Sequence, residues 1–579
     1  MSASPLDQQP ASARLVSIAD EQLGSSRRPL WMLFGGAGIL LLIACSNVAG
    51  LLLGESRIRR HEFAVRAAIG GSRTQVLRQL VVENGLLAIA GAAVGLVGAR
   101  WLTSLVVAAA PAGMPRIETA TMDIRTAVFA IAAGLVTLLI FGIAPALVLA
   151  RASVATALGS VGRHSSGKVS GQRLVVAAQV ALALVLLTGA TLFGETILRL
   201  KAQPLGFHPE GVAIVSTTFT GEQYGDPATI RAAWKSAGKN ANPGVVLGPL
   251  QRATTTLRTA AVFGRLGSIP GVTKVAATSA PPFVANPEPV QIVLEDRPKT
   301  ERLDVSRQVV TDGYFSTMGI GMLTGRDFGP ADAGGPPVVV VSSEFEKRFF
   351  PAGALSRRFT LGRPFVQSVP YQIIGVVPDV KRQELTDDVR PAFYYSYREG
   401  STPNHFVLRT SGDPSALLSA ARRAINDVST ELVVTSTTTM SSNVEQSIVE
   451  ERFRAMLSVM FGAAALMLAA VGLYGLAARR VIDRRREFAV RVALGARPAD
   501  VRRLVIRDAV TIVSIGFAAG LPASFAVARI TNSLLFGVSP TSLHVFAFTS
   551  VLLGLVVTIA TTLPARRAGR VNPVAALKE

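Results

Sequence analysis

Cysteine occurs once, as Cys45 inside an apolar run. A single thiol excludes an intrachain disulfide and a cysteine-based zinc cluster. The five histidines are scattered without ligand spacing, so no metal and no cofactor is assigned. Charge is also scarce. Asp, Glu, Lys and Arg make up 17% of the 579 residues, where a soluble protein carries about 25%. Acids are the scarcer sign, 38 against 59 Lys and Arg, for a formal net charge of +21. No carboxylate pair or Ser/His/Asp set stands out, so the chain does not read as an enzyme. Residues 1–29 lack the apolar core of a secretory signal.

What is present is long apolar runs. A helix needs about 20 mostly apolar residues to cross the hydrocarbon core. Seven stretches qualify: Leu30–Leu53, Gly85–Leu105, Thr126–Ala150, Leu174–Ile197, Ala455–Ala478, Ala509–Ala528 and Leu543–Pro564. Between them the charge is uneven. Segments 54–84, 151–173, 479–508 and 566–579 carry +3, +4, +6 and +3. Segments 1–28 and 111–125 are balanced, 531–542 is uncharged, and 199–454 has 28 basic against 24 acidic residues. Cytoplasmic loops carry the Lys/Arg excess. All four basic segments fall on one side when seven spans are threaded in order. The N-terminus is therefore expected outside and the C-terminus in the cytoplasm. The net charge then reports topology, and a nucleic-acid partner is not expected.

The sequence repeats itself. Residues 59–70 read RRHEFAVRAAIG and residues 484–495 read RRREFAVRVALG, identical at nine of twelve positions with an offset of 425. The same offset carries Gly91 and Gly95 onto Gly516 and Gly520. Each pair is a G-x-x-x-G, which lets two membrane helices approach closely. PALVLARASVATAL (145–158) similarly matches PARRAGRVNPVAAL (564–577). Spans one to three thus correspond to spans five to seven as parallel repeats. Span four and segment 199–454 have no counterpart in the first half. The chain is therefore expected to be a shortened or N-terminally truncated form of a full duplication.

Segment 199–454 is long enough for one or two α+β units. Expected strands are Val212–Thr217, Val290–Leu294, Pro337–Val341, Tyr371–Val377, Phe393–Tyr395 and Phe406–Arg409. Expected helices are Ala253–Leu266, Pro414–Asn426 and a run from Asn443 into span five. Ala237–Leu250, rich in Gly, Pro and Asn, reads as a loop.

Three motifs bear on function. In E-F-A-V-R, Glu62 and Arg66, like Glu487 and Arg491, are four apart and can pair on a helix for about 0.3–0.5 kcal/mol. Phe63, Val65 and Ile69 can form an apolar ridge, and Gly70 and Gly495 suit a helix stop. Two readings stand, a helix that docks a partner or one that lies on the membrane. GRHSSGKV (162–169) approaches a P-loop, but Val169 replaces the Mg²⁺-binding Ser/Thr and no strand precedes it, so it reads as a basic loop. Arg100 and Arg529 sit near span ends, where snorkelling explains them. No acid or base stands mid-span, which argues against a proton- or sodium-driven carrier.

LLLIACSNVAGLLL (40–53), EFAVRAAIGGSR (62–73), GIAPAL (142–147), VAAQVALALVLLTGATLF (176–193), GYFSTMGIGMLTGRDF (313–328), YQIIGVVPDV (371–380), EFAVRVALGARPADVRRL (487–504) and the C-terminal PARRAGRVNPVAAL together resemble the macrolide-exporter (MacB-type) and FtsX-like ABC permeases. The duplicated layout is similar to the acidobacterial duplicated orphan permeases. The resemblance covers nearly all of the chain from Leu30. It implies a polytopic α-helical membrane protein of the bacterial inner membrane with one α+β periplasmic domain. Its parts would be 1–29 outside, a three-span unit 30–150, a loop 151–173, span four 174–198, the periplasmic core 199–454, a second three-span unit 455–565 and a cytoplasmic tail 566–579. It also implies coupling helices around Glu62, Phe63, Arg66 and Gly70, and around Glu487, Phe488, Arg491 and Gly495. These would dock a separate cytoplasmic ABC ATPase whose hydrolysis moves the periplasmic domain, with a periplasmic partner protein also implied. Export and regulation of a periplasmic enzyme are not separated, and a scaffold or sensor without an ATPase remains the alternative. One departure is noted. Phe350-Pro351 is followed by AGALSRRF, so an altered turn is expected there.

Overall fold

The computed structural model describes residues 27–68, 73–109, 122–137, 169–219, 227–237, 243–295, 303–362, 369–399, 402–428, 432–494 and 497–568. Contacts divide the chain into two units, residues 1–199 with 450–579, and residues 200–449. In chain order the first unit contributes α1 (Arg27–Ala68), α2 (Arg73–Ala109), α3 (Ile124–Thr137) and α4 (Val169–Lys201). The second carries α5 (Pro243–Gly267) and α6 (Leu418–Asn426) among its strands. The first unit then resumes with α7 (Val449–Asp483), α8 (Arg485–Ala493), α9 (Pro498–Ile530) and α10 (Leu543–Ala568).

Among the described residues, six helices are long and apolar enough to cross a membrane: α1, α2, α4, α7, α9 and α10. The span expected at Thr126–Ala150 begins in α3 and continues into residues outside those described. So do Pro145–Leu158 and most of the P-loop-like segment. Within the helical unit α4 is the central element. Its Val176, Ala177, Val180, Leu184 and Leu187 pack against Leu473 and Leu476 of α7, Ile512 and Val513 of α9, and Leu553 and Val557 of α10. Lipid tails are as apolar as leucine, so close packing rather than exclusion of water holds such helices together. Small residues permit it. A Cβ on Gly462 of α7 would already stand 3.0 Å from the Ala190 Cβ of α4.

The second unit is built on strands β1 (Val212–Phe219), β2 (Val272–Thr278), β3 (Glu288–Leu294), β4 (Leu303–Val310), β5 (Thr324–Gly325), β6 (Val338–Ser342), β7 (Arg358–Leu361), β8 (Tyr371–Val377), β9 (Ala392–Ser396), β10 (His405–Thr410) and β11 (Leu432–Thr439). The order β11-β1-β10-β2 makes a four-stranded antiparallel sheet. A single pairing, Thr278 with Val310, links β2 to β4. From there β4-β3-β7-β8-β6-β9 closes on itself, because β9 pairs in parallel with β4. A strand alternates its side chains between two faces, and here both are covered. Ala213 and Val215 of β1 face α5 and α6, while Val212 and Ile214 join the core around Tyr314, Phe315 and Tyr394. All six strands expected from the sequence are present.

One expectation is corrected. The segment read as a loop over Ala237–Leu250 is helical from Pro243, since proline fits the first turn of a helix, where its missing N–H is not needed. After Phe350-Pro351 the chain turns at a glycine. Gly353 sits at φ +113 and donates its N–H to Phe350 O at 2.9 Å.

Candidate docking site

Helix α8 carries the second EFAVR motif and has two distinct faces. Phe488 is 1% exposed and packs with Val481, Val501, Val505 and Ala565. It anchors α8 onto the helical unit and is not available to a partner. The opposite stripe is exposed and runs i, i+3, i+4, i+7: Glu487, Val490, Arg491 and Leu494. Arg491 Nη2 lies 2.7 Å from Glu487 Oε1, the expected pairing. Val490 is 44% and Leu494 82% exposed. The result is a short ridge with a charge pair at its centre and an apolar tip.

The ridge follows a membrane helix after a single turn residue. Arg484 N donates to Arg480 O at 3.1 Å and Phe488 N to Arg484 O at 2.9 Å. The first bond closes the last turn of α7 and the second opens α8, with the turn residue Arg484 between the two helices. Below them Asp508 of α9 gathers three arginines. Its Oδ2 accepts from Arg480 Nη1 at 3.3 Å, and Arg484 Nη1 and Arg173 Nη2 stand 3.8 and 3.9 Å away. One carboxylate thus ties α4, α7 and α9 together at the base of α8.

In the first half, Glu62, Phe63 and Arg66 lie on α1, which runs unbroken from span one through the motif to Ala68. Their side chains, and Gly70 and Gly495, lie outside the described residues. The glycine pairs behave differently. A Cβ on Gly516 would meet Val180 Cβ at 2.7 Å and Ala177 O at 2.9 Å, and one on Gly520 would meet Ala181 Cα at 2.9 Å. The structure therefore brings the second G-x-x-x-G against α4. Gly91 and Gly95 have no atom within 4 Å of a built Cβ.

The offset of 425 also predicts contacts that sequence reading missed. Added to Gly36 it gives Phe461, and added to Asn47 it gives Gly472. Both pairs touch. A Cβ on Gly36 would stand 3.0 Å from the Phe461 ring, and one on Gly472 would stand 2.3 Å from Asn47 Oδ1. Asn47 Nδ2 donates to Leu468 O at 2.8 Å. Equivalent positions of the two repeats thus meet across α1 and α7, each time with a glycine hole facing a side chain. Near the first of these contacts a cavity of about 550 Å³ opens among α1, α4, α7 and α9, lined by Trp31, Gly35, Gly189 and Phe193 with Arg454 at its edge.

Comparison with known proteins agrees with this layout. The FtsX-like permease C-terminal family matches twice, over residues 34–154 and 459–573. The MacB-like periplasmic core domain family matches once between them, over residues 175–451. The macrolide export ATP-binding/permease protein MacB of Acinetobacter baylyi is 25% identical over 317 residues, 52% of this chain and 46% of that protein. The pyoverdine export ATP-binding/permease protein PvdT of Pseudomonas syringae pv. tomato is 29% identical over 228 residues, 37% of this chain and 34% of that protein. The chain thus spans a third to a half of the length of these relatives. The periplasmic region of MacB from Actinobacillus actinomycetemcomitans aligns at 12% identity with a TM-score of 0.27, covering 43% of this chain and 97% of that one. Two FtsX-like segments of apolar helices flanking a MacB-like sheet domain leave one assignment: the chain belongs to the MacB- and FtsX-type permeases, multi-pass proteins of the inner membrane.

Proposed function

We propose that this chain is the permease subunit of an ABC-type efflux or mechanotransmission system. A separate cytoplasmic ATPase docks on the ridge of α8 and on the matching motif of α1. The observation that carries the proposal is the exposed stripe Glu487, Val490, Arg491 and Leu494 on a helix that directly follows α7. Helix α7 is 35 residues long, roughly 50 Å at 1.5 Å per residue. That is more than the thickness of the hydrocarbon core. A push on α8 is carried along α7 as a rigid rod, and the chain of the periplasmic unit ends where α7 begins. The N-terminus lies outside and the C-terminus inside, as the basic segments support. Because the motif occurs twice, one chain offers two docking helices, which suits a two-lobed ATPase.

The test is co-purification from native membranes. Glu487→Lys with Arg491→Glu keeps the internal pair but reverses its polarity, so ATPase recovery should fall while membrane insertion is unchanged. Equal recovery would remove α8 from the interface. Failure to recover any ATPase with the unaltered protein would favour a scaffold or sensor. Cysteines at Ser72 and Ser401 should label from opposite sides of the membrane, which checks the orientation separately.

A second reading is favoured by the cavity among α1, α4, α7 and α9. At about 550 Å³ it falls in the size range of small-molecule sites, and apolar walls with an arginine edge suit an amphiphile drawn from the membrane. Gly189→Leu would intrude into it. Loss of export with ATPase docking intact would support this route.

A further inference from the structure

One cavity of the α+β unit is lined by charged groups of both signs. It holds about 410 Å³ between two loops, the one from β2 to β3 and the one from β8 to β9. Phe283 and Val284 wall it on the first loop, and Arg382, Gln383, Glu384 and Asp387 on the second. The two loops are tied together. Phe283 takes φ +58, a rare backbone for an aromatic residue, and its N–H donates to Arg382 O at 2.6 Å. Backbone outliers of this kind cluster at ligand sites. Leu385 is buried and anchors the second loop. There Glu384 N donates to Asp387 Oδ2 at 3.3 Å and Thr386 Oγ1 to Glu384 Oε2 at 3.1 Å. Arg382 forms the floor. Its Nη2 donates to Tyr394 OH at 2.7 Å and its Nη1 to Gln308 Oε1. Gln308 and Tyr394 are each 1% exposed. Gln308 Nε2 donates to Ala280 O at 2.8 Å, which fixes the amide with its oxygen toward Arg382. Both acceptors are neutral, so they position the guanidinium without neutralising it and leave further N–H groups for a ligand.

We infer that this cavity binds a short zwitterionic peptide, with its carboxylate on Arg382 and its amino group on Glu384 and Asp387. Charge decides the class of ligand. The lining holds one guanidinium and two carboxylates. A simple anion is repelled by the exposed acids at the rim, and a simple cation by the arginine at the floor. A molecule that carries both charges satisfies both. A planar guanidinium matches a carboxylate through two parallel hydrogen bonds. The bonds within the 384–387 turn use one oxygen of each rim carboxylate, and the second oxygen of each serves an ammonium group. Asn286 and Gln383 also line the cavity, and their amides both donate and accept, as a peptide group between the two ends requires. Phe283 and Val284 offer apolar surface to a side chain. The volume falls in the range of small-molecule sites.

The experiment titrates the purified full-length chain, in neutral detergent, with the dipeptide alanyl-phenylalanine and reads binding by calorimetry. Its C-terminal amide and its N-acetyl derivative are the comparisons. The free dipeptide should bind saturably, and loss of either end charge should weaken binding about tenfold or more, the worth of a hydrogen bond to a charged group. Glu384→Gln with Asp387→Asn keeps the shape and the bonds within the turn. This rim variant should bind the free and N-acetyl forms alike and still prefer a free carboxylate. Arg382→Lys keeps the charge but loses the fork, so it should lower the preference for a free carboxylate and leave the preference for a free amino group. Misfolding would abolish all binding together, whereas the inference requires the N-acetyl form to bind the rim variant as well as it binds the unaltered chain. Absence of saturable binding at millimolar dipeptide, or equal affinity of the blocked forms, would overturn the inference. So would unchanged preferences in the rim variant, which would put the dipeptide elsewhere on the protein. The titration needs neither ATPase nor export, so it stands or falls apart from the docking proposal.

Discussion

Alanine at Gly516 and at Gly91 should have opposite consequences, although the two glycines occupy the same place in the repeat. At Gly516 the added Cβ would lie 2.7 Å from both Cβ and Cγ1 of Val180 and 2.9 Å from Ala177 O. Ordinary carbon contacts begin near 3.5 Å, so about 0.8 Å must be found. A backbone carbonyl and a β-branched side chain cannot rotate away. Helix α9 must move off α4 instead, at the expense of Ile512 and Val513 in the same interface. Overpacking of this kind costs about 1–3 kcal/mol. At Gly91 no described atom outside its own helix lies within 4 Å, and alanine gains up to about 1 kcal/mol of helix propensity. Thermal unfolding of the purified protein in detergent measures both. The midpoint should fall for Gly516→Ala and hold or rise for Gly91→Ala. Equal behaviour of the two variants would refute the packing assigned to α4 and α9.

Other outcomes follow from the same geometry. Phe488→Ala removes a fully buried ring, which costs about 3–5 kcal/mol in a core, so α8 should loosen and ATPase recovery should fall although Phe488 touches no partner. Leu494→Ser, on the exposed ridge, should leave stability within about 0.5 kcal/mol and still reduce recovery; a large loss of stability would contradict the assigned exposure. In the α+β unit, burial holds the His405 imidazole down at about 4, against an ordinary value near 6.5. Its Nδ1 lies 2.8 Å from Ser216 Oγ. The unfolded chain takes up the proton first, so this part of the stability is complete above about pH 6.5 and is lost as pH falls toward 4. At pH 5 the loss is about 2 kcal/mol. Proteolysis of the full chain in urea should show it, and His405→Gln should flatten the dependence; an unchanged slope would assign the effect elsewhere.

Much was legible in the sequence because membrane physics is harsh on composition. About 20 apolar residues are needed to span lipid, so spans follow from counting. Strands such as Tyr371–Val377 were legible because β-branched and aromatic runs bounded by turn residues have few other uses. The repeat was legible as identity at a fixed offset. Three things were not. Phe488 stood in the motif as a docking residue, but it points inward, since side chains one or two residues apart on a helix face different sides. The exposed ridge is Glu487, Val490, Arg491 and Leu494, a helical stripe that needed a fixed inner face before the outer one could be told. The glycine pairs read alike, yet only Gly516 and Gly520 meet a neighbour, because α4 follows the second repeat's geometry and nothing described covers Gly91 and Gly95. The closing of β4-β3-β7-β8-β6-β9 rests on a parallel pair between strands more than 80 residues apart, a distance over which local propensity carries no information. Composition and periodicity determined which segments are helices in lipid and which are strands. Only tertiary contact decided which face of each one is free to work.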